Sequence, residues 1–399
     1  MNLKSGFLCA AWLAGTTGLL SALLTPLFAA VARRSGVMDV PRERSLHRNP
    51  TPLLGGLGIV VALILTTVAH LAAAAFLARH STFLMPVISD LQLNLPGLSA
   101  TWGRLGVIFA GGLAICALGL ADDLWHLRVR TRLFVQFGVA IAVCALGVRP
   151  TLGIMPEPLA FAVAVLWLVG ITNAFNLVDG VDGLATGLAA IAACLLGVTM
   201  CTTGHPCPGA LLFALSGACL GFLWHNWHPA RIFLGSAGAL FLGYMLGAIT
   251  MIATFMSERT TWLFPLLVPV LVFAVPLYDT ASVILIRLGL KRPVWEGDSS
   301  HFHHRLLRIG FSHRQCVAFM WLLATAFGLG GMLITRGSWI ASLVVLAQAM
   351  VLVCIIVLLE RVVGSQVGGK PSTRQANPQH EDRETDDQDL AVFPTQPGR

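Results

Sequence analysis

Long apolar runs separated by short polar breaks fill almost the whole chain. Eleven runs are long enough to cross a bilayer as helices, near residues 6–32, 54–78, 104–121, 133–149, 158–174, 184–203, 208–225, 237–256, 263–288, 315–335 and 339–362. The pattern predicts an all-α polytopic membrane protein over residues 1–362, with about eleven transmembrane helices. The first run, Gly6 to Ala32, is longer than the apolar part of a signal peptide, and Arg33-Arg34 follow at once. It reads as a retained first helix. From residue 363 to 399 the chain is rich in Gly, Ser, Gln, Pro and charge, so this tail cannot bury a core and is expected to be disordered.

Composition agrees with the pattern and removes one class. With 56% hydrophobic residues, 11% charged and a mean hydropathy of +0.78, the chain is not a soluble enzyme with an anchor. The net charge of +7 is distributed by topology. With the N-terminus outside, sixteen Lys and Arg fall on inside connections and six on outside ones before the tail. By the positive-inside rule the C-terminus is then cytoplasmic. The basic residues follow the membrane, and no recognition module accompanies them, which argues against nucleic acid. The nine cysteines show no metal-ligand spacing; Cys201 and Cys207 flank a short loop and could bridge in an oxidising compartment.

This orientation places every polar cluster on the cytoplasmic side: Asp39–Gly56, Asp122–Arg132, Asn173–Asp182, His225–Ser236 and Lys291–Arg314. A transporter would carry polar groups near mid-span; here they collect at one face. The densest cluster is Asn173-Ala-Phe-Asn-Leu-Val-Asp-Gly-Val-Asp-Gly, in which Asn173, Asn176, Asp179 and Asp182 recur every third residue. Two carboxylates and two amides at a membrane edge are costly to desolvate. A hard cation with oxygen ligands, or a phosphate held through it, would compensate them. Asp122-Asp123 ends a helix that runs inward, where the helix dipole disfavours both carboxylates, so a cation or nearby arginines are again expected. Arg44 and His47 sit in a basic loop that closes on Pro50-Thr-Pro52 and Gly55-Gly56 and suits phosphates. His301-Phe-His-His-Arg305 packs three histidines and an arginine into five residues. No cysteine or second ligand half accompanies it, so diphosphate donors fit better than zinc.

At these residues the chain resembles the polyprenyl-phosphate N-acetylhexosamine-1-phosphate transferases, the superfamily of undecaprenyl-phosphate GlcNAc-1-phosphate transferases and phospho-MurNAc-pentapeptide transferase. The resemblance covers roughly residues 35 to 315 and includes Asn226 with Pro229-Ala-Arg-Ile-Phe-Leu-Gly235. It implies an inner-membrane enzyme working at the cytoplasmic face, transferring a sugar 1-phosphate from a UDP-N-acetylhexosamine to undecaprenyl phosphate with Mg²⁺ (or Mn²⁺), and it allows a homodimer. It also implies roles. Asp122 or Asp123 would ready the lipid phosphate, with Asp179 and Asp182 also catalytic. Asn176 and Asp179 would serve the metal or the nucleotide. Asn173, His301, His303, His304 and Arg305, with Arg44 and His47, would bind substrate. One position departs: Ser236 stands where the family usually carries an aspartate regarded as a magnesium ligand, so a metal role for Ser236 is weak and a silent family member is the alternative.

Overall fold

The structure is a computed structural model that describes residues 3–41, 49–80, 95–150, 155–252, 264–293, 300–335 and 337–367. The chain divides into two units, residues 1–352 and 353–399, and every polar motif belongs to the first. Its elements are α1 (Leu3–Ser35), β1 (Met38–Asp39), β2 (Thr51–Pro52), α2 (Gly55–His80), α3 (Leu95–Trp125), α4 (Val129–Ala145), α5 (Glu157–Val178), α6 (Leu184–Thr202), α7 (Pro206–Asn226) and α8 (Gly235–Ile252). After a 3₁₀ turn at Phe264–Leu267 come α9 (Val268–Val272), α10 (Ala274–Gly289), α11 (Phe302–Arg308), α12 (His313–Ile334) and α13 (Trp339–Val367).

The chain is an all-α polytopic membrane protein. Nine helices among the described residues are long and apolar enough to cross a membrane, or ten if one bent pair counts as a span. Two of the eleven expected spans look different here. The run at 133–149 falls on α4, which has 17 residues. At 1.5 Å per residue that covers about 26 Å, slightly short of the bilayer core. The run at 263–288 is broken: α9 and α10 meet at a 77° bend. Pro265, Pro269 and Pro276 lie in this stretch, and each removes a backbone donor.

Helix α8 is the centre of the bundle. Every residue from Ala237 to Met251 is buried, with α3 and α5 packed against it. A helix apolar all round belongs inside, and α8 carries no charge to keep any face outward. The junction with α3 depends on Gly119. A Cβ there would lie 2.5 Å from the Ser236 carbonyl oxygen and from the Ala237 Cα. With hydrogen at that position, the inner end of α3 reaches the first turn of α8.

The two-stranded ribbon does for the first loop what glycine does for α3. Met38 pairs with Pro52 and Asp39 with Thr51, antiparallel. The ribbon then reaches the Ile232–Gly235 stretch: Phe233 N–H donates to the Pro52 carbonyl (2.8 Å), and Gly55 and Gly56 N–H donate to the carbonyls of Phe233 (3.1 Å) and Leu234 (2.9 Å). Two motifs about 180 residues apart in sequence are thus one hydrogen-bonded unit.

Candidate active site

The Asp123 carboxylate sits on the N-terminus of α8. Ser236 N–H donates to its Oδ1 (2.8 Å) and Ala237 N–H to its Oδ2 (3.1 Å), and the Ser236 hydroxyl donates as well. Unpaired amides and the positive end of the helix dipole both favour an anion there. Gly235 makes the turn into α8 with φ +73°, and a Cβ on it would lie 2.8 Å from Asp123 Oδ2. Asp122 is held differently, by a salt bridge from Arg132 Nη1 at 2.5 Å. So the carboxylates that the sequence placed at an unfavourable helix C-terminus are offset by another helix's N-terminus and by an arginine. An open cleft of about 370 Å³ lies between Asp39, Asp122, Asp123, His126, Arg132 and Ser236. Beside it Leu124 and Trp125 are exposed, Trp125 by 71%.

A second group lies in the turn between α5 and α6. Asp179 ends α5, Asn176 lies one turn earlier, and Gly183 starts α6 with φ +75°. Buried Asn226 ties this turn to the end of α7: its Oδ1 accepts from Gly183 N–H (3.0 Å) and the Thr186 hydroxyl (3.2 Å), while its Nδ2 donates to the Ile232 carbonyl (2.9 Å). Asp182 completes the tie. Its Oδ2 takes His228 Nδ1 (2.7 Å) and Ala230 N–H (3.0 Å). Asp182, expected to be catalytic, is therefore placed as a clasp between two loops. Asp179 differs from the other three carboxylates. No hydrogen-bond donor meets it among the described residues, and burial, then the charges of Asp123 and Asp182, push its carboxyl up to about 8.

The histidine segment is anchored by Asp279, which sequence reasoning missed. Asp279 lies in α10 with no solvent exposure. Its Oδ2 pairs with His301 Nδ1 (2.9 Å), and its Oδ1 accepts from Phe302 N–H (2.5 Å). One turn further, Arg305 Nη2 donates to the Ser282 hydroxyl (2.5 Å). The guanidinium also lies 5.7 Å from the centre of the Phe302 ring. The signal was present: a single carboxylate inside the apolar run Leu271–Ala281 is expensive unless it has a task. His303 was expected to bind substrate, yet it is 1% exposed, and among the described residues neither ring nitrogen has a partner. Its Nε2 packs directly on Gly180, where a Cβ would collide with it. Burial lowers its pKa to about 3 and keeps the ring neutral. His304 and Arg305 are half-buried beside it.

The structure thus brings Asp122, Asp123 and Ser236 to one cleft, and it packs the Asp179–Asp182 turn against the His301–Arg305 segment through Gly180 and His303. Asn173 lies apart: its Nδ2 donates to Gln136 Oε1 (2.5 Å) and to the Val169 carbonyl (2.8 Å), tying α5 to α4. Arg44 and His47 lie outside the described residues. Asp39, at the edge of its cluster in sequence, is carried to the cleft by the ribbon. Cys201 and Cys207 are both free thiols. Among the described residues no three His, Cys, Asp or Glu side chains converge to hold a metal by themselves. Magnesium is usually held by one or two carboxylates plus substrate phosphates, and an unpartnered Asp179 in negative surroundings fits that mode. Ser236 does not add to it, because its hydroxyl and amide already serve Asp123.

Residues 105–254 match glycosyl transferase family 4. That stretch contains Asp122, Asp123, the Asn173–Gly187 motif and Ser236. A probable undecaprenyl-phosphate N-acetylglucosaminyl 1-phosphate transferase of Bacillus subtilis is 30% identical over 332 residues, 81% of this chain and 84% of the relative. A decaprenyl-phosphate N-acetylglucosaminephosphotransferase of Mycolicibacterium smegmatis is 34% identical over 342 residues, 78% of this chain and 79% of the relative. A phospho-N-acetylmuramoyl-pentapeptide-transferase of Chlamydia muridarum is 38% identical over 208 residues, 44% of this chain and 60% of the relative. A multi-pass bundle with carboxylates gathered at one end of its helices, taken with these relatives, makes the chain a membrane-embedded transferase. The chain belongs to the polyprenyl-phosphate N-acetylglucosamine-1-phosphate transferases of glycosyl transferase family 4.

Proposed function

We propose that this protein transfers N-acetylglucosamine 1-phosphate from UDP-GlcNAc to undecaprenyl phosphate, at the cytoplasmic face of a bacterial inner membrane, as the first lipid-linked step of a cell-envelope polysaccharide. An oxygen of the lipid phosphate bonds to the β-phosphorus of the donor. The bond from that phosphorus to the bridging oxygen breaks, and its electron pair leaves with UMP.

The observation that carries this reading is the Asp122–Asp123 cleft, lined by charged groups together with Leu53 and Leu127, with Leu124 and Trp125 exposed next to it in sequence. An acceptor with a charged head and a prenyl chain needs that combination. Arg132 faces the same cleft and offers a cation to the acceptor phosphate. The Asp122–Asp123 pair aligns that phosphate and takes its proton. Asp179 and Asn176, with substrate phosphates, would hold Mg²⁺, which when bound offsets the charge of the diphosphate and of departing UMP. His301, His304 and Arg305 hold the donor's diphosphate and sugar. Catalysis in this scheme is positioning and charge stabilisation, with no covalent enzyme intermediate.

Ser236 favours a second reading, a silent member that binds these substrates without turnover. One assay separates the two. Purified protein in detergent receives undecaprenyl phosphate, Mg²⁺ and radiolabelled UDP-GlcNAc, with Ser236→Asp and Asp123→Asn beside the native chain. The expected result is labelled lipid and UMP from native protein and a fall of about 10²-fold or more for Asp123→Asn. Product from Ser236→Asp alone would establish the silent reading. No product from either, with any UDP-N-acetylhexosamine offered, would overturn the reaction.

A further inference from the structure

We propose that Asp279 is a positioning residue for this reaction, acting through His301: it fixes the ring tautomer and holds the segment 301–305 in place for the donor diphosphate. The inference rests on the proposed function, but its geometry stands independently. Asp279 has no solvent exposure and uses both oxygens: Oδ1 accepts from the Phe302 amide, and Oδ2 lies 2.9 Å from His301 Nδ1. In the proposed tautomer Nδ1 donates to the carboxylate, and Nε2 is the nitrogen left for a ligand. The arrangement matches a base-orienting carboxylate behind an imidazole.

Three further observations separate Asp279 from a merely buried acid. Its partner His301 starts α11, so one carboxylate sets both the ring and the backbone of that helix. The next turn repeats the tie, with Ser282 holding Arg305. And the His301 ring stacks on His303 (5.6 Å, 10°), which in turn rests on Gly180 between Asp179 and Asp182. Asp279 thus sets the position of the histidine segment relative to the carboxylate turn.

Asp279→Asn tests this. The amide oxygen can still accept from Phe302 N–H, while its NH₂ now faces His301 Nδ1 and forces the proton to Nε2. With ¹⁵N-histidine-labelled protein in detergent, the His301 resonances are assigned by their loss in His301→Ala. The expected result is a tautomer switch in Asp279→Asn and a fall in kcat of roughly 10²–10⁴ with unfolding temperature nearly kept. In a His301→Ala background the same change costs less than about threefold, because the residue it acts through is gone. An unchanged tautomer, or equal losses in both backgrounds, overturns the proposal. If Asp279→Asn does not fold, His301→Asn decides. It keeps a donor where Nδ1 was and removes Nε2, so a stable, inactive protein is expected and full transfer activity overturns the proposal. Should native protein lack transfer with every donor, the reaction is at fault, and the ring resonances still decide the Asp279–His301 pair.

Discussion

Asp179 is the residue at which sequence chemistry and tertiary position meet most sharply. It is a carboxyl pushed up to about 8 by burial and by Asp123 and Asp182, with no donor among the described residues to offset its charge. A raised folded value means the folded state holds a proton that the unfolded state has released. Without a cation, stability is therefore expected to fall as pH rises from about 4 to about 8. A bound Mg²⁺ should reverse this by favouring the ionised form. Unfolding temperatures of detergent-solubilised protein, with and without Mg²⁺ at pH 6 and pH 8, test it: the Mg²⁺ gain should be larger at pH 8 and should vanish in Asp179→Asn. An equal gain in that variant would remove Asp179 from the metal site. His303 contributes the opposite slope in a lower window. Its folded value is about 3, so the unfolded state takes up a proton first, and stability is lost as pH falls below about 6.5. His303→Phe should flatten the acid limb of the stability curve below pH 6.

At the scale of elements, the site is a consequence of how closely α3 and α8 approach. Gly119 leaves no room for a side chain against Ser236 and Ala237. Gly119→Ala should therefore separate the two helices and withdraw Asp123 from its three donors. Overpacking of this kind costs about 1–3 kcal/mol, and the lost hydrogen bonds to a charged group add about 1.5–3 kcal/mol. The expected outcome is a lower unfolding temperature together with transfer activity reduced well beyond what the remaining folded fraction explains. Activity tracking the folded fraction would mean that the clasp on Asp123 is structural only. Gly111, in the same helix but packed on Tyr244, is the control: Gly111→Ala should destabilise without a separate loss of activity per folded molecule.

At the scale of the whole molecule the prediction concerns direction across the membrane. On the positive-inside count the polar end of the bundle is expected in the cytoplasm, the side of the proposed UDP-sugar donor. A green fluorescent protein fused after Arg399 should be fluorescent and an alkaline phosphatase fused there inactive. The reverse pair of results would invert the orientation and move the cleft away from its proposed donor.

The sequence by itself determined the class of the molecule, because apolar runs of bilayer length leave a chain no soluble alternative and only helices satisfy their own backbone in lipid. It also located Asp122, Asp123, the Asn173–Asp182 step pattern and the His301–Arg305 segment, since polar groups at a membrane edge stand out against an apolar background. What it could not decide was which of these groups are already satisfied by one another. That Asp182 belongs to His228, that Asn173 belongs to Gln136, and that Ser236 serves Asp123 follow from contacts between residues 46, 37 and 113 positions apart. Asp279 stood out as a lone carboxylate in an apolar run, but its task was not legible for the same reason: its meaning lies in a histidine 22 residues further on, at the start of the next described helix. Spacing along the chain reports local periodicity, whereas the charge state and task of a buried group depend on the donors that folding brings to it.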